Sequence, residues 1–273
     1  LDRAGKLINQ VASIFSNLLE CDGTDEMQAL SIELQPIMSE HSLKVSLNEK
    51  LFERVRKVWE KESLAATPTL TLEQGRLLKD TYEGYVRSGA TLEGEKRERW
   101  REISNQLDSL SLVYGQNVQK ATAAWTYTLN PETDLAGLPG FVTEELKNND
   151  YKLTLLAPSY GPFMKYSARR DLREMAYKAY NTRCVGGEFD NTDAIRKIAA
   201  LRQEKAELLD YTTFADFRLA NTMAQTPDAV FDLLNQLLGA YKKPAEKEVK
   251  EVADFAAKYE GKPLEGGLQP WDF

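Results

Sequence analysis

The chain has 273 residues, with 35 Lys and Arg against 42 Asp and Glu, a formal net charge of −7, 42% apolar residues and 28% charged ones. That balance suits one large globular domain or two smaller ones rather than a disordered tail. The negative field repels nucleic-acid phosphates and anionic membrane surfaces, and no apolar run approaches the roughly 18 residues needed to cross a bilayer, so neither nucleic acid nor a membrane is an expected partner.

The first 20 residues place Leu7, Ile8, Val11, Ile14, Phe15, Leu18 and Leu19 at amphipathic helical spacing, stopped by Cys21-Asp22-Gly23. Thr24 or Asp25 caps a second predicted helix reaching about His41, with Met27, Leu30, Leu34, Ile37 and Met38 inward, and Ser46 caps a third carrying Leu51, Val55, Val58 and Trp59. Pro68 marks a break. Thr71 and Gln74 have capping-box spacing ahead of a fourth helix, and a long helix over 92–124 turns Trp100, Ile103, Leu107, Leu110, Tyr114, Val118 and Ala121 to one side.

The period then changes. Residues 125–129 and 151–155 alternate large and polar side chains, which predicts a two-stranded antiparallel ribbon, with a turn at Gly137 and Pro139 and a short helix near 141–147 between them. After Pro158 and Pro162 helices resume at about 169–183, 191–209, 211–223 and 227–259, the last opened by Thr226-Pro227. Residues 261–273, rich in Gly and Pro, read as a connection. The expected fold is all-α with one small β-ribbon, divided as 1–124, 125–260 and 261–273, with the first two packed as one unit.

A hydrolytic zinc site needs two imidazoles one helical turn apart with a carboxylate between them, and the chain has a single histidine, His41, which suits a capping or surface role. Cys21 and Cys184 form no C-x-x-C pair and read as buried thiols. Such usage favours the cytoplasm and leaves export open, since the chain begins at Leu1 rather than Met. Phosphate-binding glycine loops and a G-x-S-x-G elbow are absent. No catalytic residue and no metal ligand is expected within these residues.

The residues themselves stop at an acidic, mostly helical protein; a resemblance extends the reading. Ala157-Pro158-Ser159-Tyr160-Gly161-Pro162-Phe163-Met164, then Leu172-Arg173-Glu174-Met175-Ala176-Tyr177-Lys178-Ala179-Tyr180-Asn181-Thr182-Arg183, resemble the middle of the thimet oligopeptidase and dipeptidyl carboxypeptidase family of zinc metallopeptidases. Residues 187–191, 195–206, 223–227 and Gln269-Pro270-Trp271-Asp272 continue the likeness in order, and 11–19, 47–52, 87–90 and 135–139 extend it toward the start. The dipeptidyl carboxypeptidase branch looks closest. One departure is Asp210, where the family commonly has Gly at a left-handed helix end, a conformation Asp can adopt at some cost.

The resemblance implies a neurolysin-like amino-terminal region, with the His-Glu-x-x-His zinc motif beyond the position of Phe273. Zinc is then a cofactor of the full-length enzyme and not of this segment, which by itself is expected to be inactive. The partners implied are short peptide substrates and a carboxy-terminal catalytic half. The segment would form one wall of a substrate channel, with Tyr160, Tyr166, Tyr177 and Tyr180 as candidate cleft residues; core packing is the plain alternative for tyrosines at helical spacing. A non-enzymatic helical interaction module is the competing class.

Overall fold

The computed structural model describes residues 5–65 and 69–273. Their helices are α1 (Lys6–Asp22), α2 (Asp25–Ser46), α3 (Glu49–Ser63), α4 (Leu72–Arg87), α5 (Gly94–Ala124), α6 (Gly140–Asn148), α7 (Ala157–Tyr166), α8 (Arg170–Asn181), α9 (Thr192–Glu207), α10 (Phe214–Leu219) and α11 (Pro227–Glu260). Two short strands, β1 (Thr126–Thr128) and β2 (Lys152–Thr154), and a closing 3-10 turn at Pro270–Asp272 complete the described residues. The fold is thus all-α with one small ribbon. The break expected at Pro68 and the first residues, 1–4, of the first expected helix lie outside the described residues.

The chain forms two compact units, one of residues 1–116 and 194–217, the other of residues 117–193 and 218–273. In the first unit, the capping signals act largely as the sequence indicates. Thr24 accepts the Met27 N–H, and Thr71 and Gln74 form a reciprocal capping box. Asn48, not Ser46, caps α3, accepting the Leu51 N–H at 3.0 Å, because α2 runs past His41 to Ser46 and carries Pro36 within it. Cys21 is exposed rather than buried, since α1 turns only one side inward. Its other side leaves Leu7, Val11, Ile14 and Leu18 more than half exposed.

The α2 stripe differs from the expected one. Leu30 and Ile37 are exposed, at 43% and 64%, while Ser31 and Ser39 are buried. They face α5 through a polar seam. Ser39 Oγ lies 2.7 Å from both Asp108 Oδ2 and Asn105 Oδ1. Its single proton goes to the carboxylate, and turning the Asn105 amide end for end lets its NH2 donate to the same oxygen. Further along, Gln116 Nε2 donates to Ser31 Oγ and to the Gln28 carbonyl, both at 3.3 Å, and Arg101 pairs with Glu40 at 2.7 Å. On α5 the inward stripe is as expected except at Tyr114, which is 39% exposed.

The apolar core of this unit gathers Leu43, Leu47, Leu92 and Trp100, flanked by Leu208, Leu209 and Phe217. Gly89 lets the chain pass the Trp100 ring: its φ is +85°, and a Cβ would stand 3.0 Å from the indole. At the end of α9, Asp210 adopts φ 62°, and the Tyr211 N–H closes on the Ala206 carbonyl at 3.1 Å. The position where the family commonly has Gly is therefore left-handed here, held by the bond pattern of a helix C-cap.

In the second unit Thr126 pairs with Thr154, Tyr127 with Leu153 and Thr128 with Lys152. One face of this ribbon meets Val142 and Leu146 of α6, Phe163 of α7, and Leu172 and Ala176 of α8; Leu129, Leu153, Phe163 and Ala176 are at most 1% exposed. The sequence treats Pro158 and Pro162 as a break, yet α7 spans both. Pro158 sits in the first turn, where an N–H has no helical acceptor, and the burial of Phe163 offsets the missing bond at Pro162. Gly137, at φ +83°, allows the preceding loop to touch α7's end, where a Cβ would fall 2.5 Å from the Tyr166 carbonyl oxygen.

The helix expected over 211–223 is only Phe214–Leu219; residues 220–225 turn instead, with Gln225 at φ 62°. Thr226 and Pro227 then open α11 as expected, the Thr226 hydroxyl accepting the Ala229 N–H at 3.2 Å. This 34-residue helix has no buried residue.

Candidate functional site

Three of the four tyrosines singled out in the sequence meet. Tyr177 and Tyr180, three residues apart on α8, face the same way, and α7 delivers Tyr160 to them. The Tyr160 and Tyr180 rings stack, with centroids 4.4 Å apart and planes 14° from parallel. Burial pushes the Tyr160 phenol above its ordinary range, helped by the Tyr177 and Tyr180 phenols and opposed by Arg183. Tyr166 stands apart: it meets Phe141 edge-on at 6.1 Å and is 37% exposed.

Arg183, one turn past Tyr180, completes the group. Its guanidinium carbon lies 3.7 Å from the Tyr180 ring centre. Nη1 donates to Thr122 Oγ1 at 2.6 Å and Nε to the Tyr180 carbonyl at 2.8 Å. No carboxylate among the described residues pairs with it, whereas Arg99, Arg101, Arg169, Arg170 and Arg173 all have one. In the sequence Arg183 carries no signal of its own beyond the segment 172–183. Its nearness to Thr122, 61 positions away, is a tertiary fact.

A second constellation holds the final turn. Asp272, whose side chain is 4% exposed, accepts from Arg170 at 2.8 Å and Arg173 at 3.2 Å, and from the Gln269 N–H at 2.9 Å. Burial opposes ionisation, but Arg170, the Gln269 N–H and Arg173 outweigh it and hold the carboxyl below its ordinary range. Arg170 also donates to the Glu265 and Gly267 carbonyls, and Arg173 to those of Trp271 and Ser167. Trp271 consequently packs on Tyr177, with ring centres 5.7 Å apart. Its indole N–H is buried without an acceptor among the described residues.

The described residues do not fit a zinc ion. His41 is exposed on α2 beside an open groove of about 950 Å³, and no group of three or more His, Cys, Asp or Glu among the described residues is placed to hold a metal. Nor is any described helix long and apolar enough to cross a membrane.

Residues 163–273 match the model of peptidase family M3. The chain is 32% identical over 284 residues to oligopeptidase A of Salmonella typhimurium, an alignment covering 100% of this chain and 41% of that protein. It is also 32% identical over 278 residues to oligopeptidase A of Escherichia coli, covering 97% and 40%. Dipeptidyl carboxypeptidase of Escherichia coli is 25% identical over 286 residues, covering 100% and 40%. The relatives are peptidases. The chain belongs to the thimet oligopeptidase and dipeptidyl carboxypeptidase family, and spans about two fifths of the length of the curated relatives it matches. Identity is higher with the two oligopeptidases A than with this dipeptidyl carboxypeptidase, which runs against the expected branch.

Proposed function

We propose that this chain is the amino-terminal, non-catalytic half of a zinc metallopeptidase that hydrolyses short peptides, either as an oligopeptidase or by releasing carboxy-terminal dipeptides. The observation that carries the reading is the match over the whole chain to two fifths of oligopeptidase A. The zinc ligands, and a carboxy-terminal catalytic half that holds them, belong to the remainder of such a protein, and the present chain by itself is inactive. Its contribution is one wall of the substrate channel, with the Tyr160, Tyr177 and Tyr180 face and Tyr166 toward the peptide. Holding the peptide in line raises the rate through orientation rather than through bond chemistry. A division into 1–124, 125–260 and a connection at 261–273 goes with this reading, as does a cytoplasmic location.

Helix α11 supports a missing partner surface. Phe231, Leu234, Leu238 and Tyr241, at helical spacing, are 62%, 50%, 60% and 66% exposed, and Phe255 and Tyr259 continue the apolar side at 67% and 79%. Apolar surface of that extent marks an interaction face. The test compares cleavage of a short quenched fluorescent peptide by this chain and by its longest native form, each with zinc and with a chelator. Chelator-sensitive cleavage confined to the longer form is the expected result. Cleavage by neither form would favour the interaction module, and cleavage by this chain alone would misplace the zinc.

A further inference from the structure

We propose that Arg183, laid against Tyr180 and steadied by Thr122, binds the free terminal carboxylate of a peptide substrate. The proposal rests on the peptidase reading and narrows it to peptides engaged by their carboxy-terminal end. The guanidinium has five N–H donors in a fixed fork, of which the contacts to Thr122 and the Tyr180 carbonyl use one at Nη1 and the one at Nε. Among the described residues Nη2 therefore keeps both of its protons uncommitted. A carboxylate takes parallel N–H bonds from two nitrogens, here one proton of Nη2 and the second proton of Nη1, and arginine is the side chain whose geometry matches that group.

Arg170 and Arg173 on α8 share a carboxylate, whereas Arg183, like the half-buried Arg87 on Phe217, has none among the described residues. Arg183 is backed instead by an aromatic ring and a hydroxyl, which fix its orientation without neutralising it. Tyr160 covers the opposite face of the same Tyr180 ring, so the ring that backs the cation is itself held in place. A carboxylate at the end of a peptide meets this oriented and unneutralised cation.

The experiment uses the longest native form with zinc and two peptides of one sequence, one ending in a free carboxylate and one in a carboxamide. The wild type is expected to cleave the acid with the lower KM. Arg183→Gln should raise KM for the acid roughly 10- to 100-fold, the worth of a hydrogen bond to a charged group, and leave KM for the amide within about twofold. Arg183→Lys should restore part of the preference. Equal KM values for acid and amide in the wild type would overturn the assignment without any variant, so a misfolded Arg183→Gln does not shield it. An acid preference that survives Arg183→Gln, or an equal loss on both peptides, would overturn it too. Failure of the wild type to cleave either peptide would instead bring down the peptidase reading, and this proposal with it.

Discussion

The two units are held together internally by different means. In the second, the ribbon and helices α6 to α8 close on a dry centre in which Leu129, Leu153, Phe163 and Ala176 lose all but 1% or less of their exposure. In the first, the apolar cluster of Leu43, Leu47, Leu92 and Trp100 is extended between α2 and α5 by a row of hydroxyls, amides and carboxylates: Ser31 with Gln116, and Ser39 with Asn105 and Asp108. Apolar packing stabilises strongly but tolerates sliding, because one methyl replaces another at little cost. A hydrogen-bonded seam adds less energy and fixes register, since a shift of one turn leaves buried polar groups unpaired.

The sharpest way to break this contrast is Phe163→Ala. Emptying that centre should cost roughly 3–5 kcal/mol, read as a fall in the denaturation midpoint with an unchanged slope. A loss below about 1 kcal/mol would mean that the dry centre is not what holds the second unit.

Next comes Asp272→Ala, which leaves Arg170 and Arg173 facing each other without their shared carboxylate. Breaking a buried pair costs about 3–5 kcal/mol, and the partial exposure of both arginines brings the expected value toward 2–3. Asp272 also gives a pH dependence of known sign. A carboxyl held below its ordinary range stabilises the fold above the ordinary carboxylate pKa of ~3.9, and the contribution disappears as pH falls from there through the lower folded value. Tryptophan fluorescence should show Trp271 loosening in that acid window, and Asp272→Asn should remove that part of the transition.

Ser39→Ala tests the polar seam. A loss of about 1–2 kcal/mol is expected, with Asp108 and Asn105 deprived of a shared partner. Ser39→Ala combined with Asn105→Ala should cost less than the sum of the single changes, because the two residues act through one network. Strict additivity would make the seam a set of independent surface bonds.

The smallest effect expected is a gain. Asp210→Gly relieves a left-handed residue at the end of α9 and should stabilise by about 0.5–1 kcal/mol, after the greater freedom of glycine in the unfolded chain offsets part of the relief. A thermal midpoint that fails to rise would show that Asp210 is held in place by more than the helix cap.

Local chemistry was legible in the sequence, and so was the ribbon. Thr71 with Gln74 and Thr226 with Pro227 act through neighbours only a few residues away, and the alternation around Tyr127 and around Leu153 marks each strand locally although the two pair across the ribbon. The elements misread are those whose fate depends on distant groups. Pro162 is tolerated inside α7 because Phe163 reaches a core built from four other elements. On α2 the spacing of Leu30 and Ile37 promised an apolar face, but the partner surface offered by α5 at Asn105, Asp108 and Gln116 is polar, so the serines turned inward.

The same division applies to the candidate site. The sequence alone placed Tyr177 and Tyr180 on one helix, and the ordered segments resembled the peptidase family without a metal motif. Only the tertiary structure joined Tyr160, Thr122 and Arg183 to them, set Tyr166 aside, and left Arg183 without a carboxylate among the described residues. Helical spacing fixes what lies within about one turn of a residue. Whether a charge is neutralised depends on groups the chain brings from far away, and that is settled only when the helices pack.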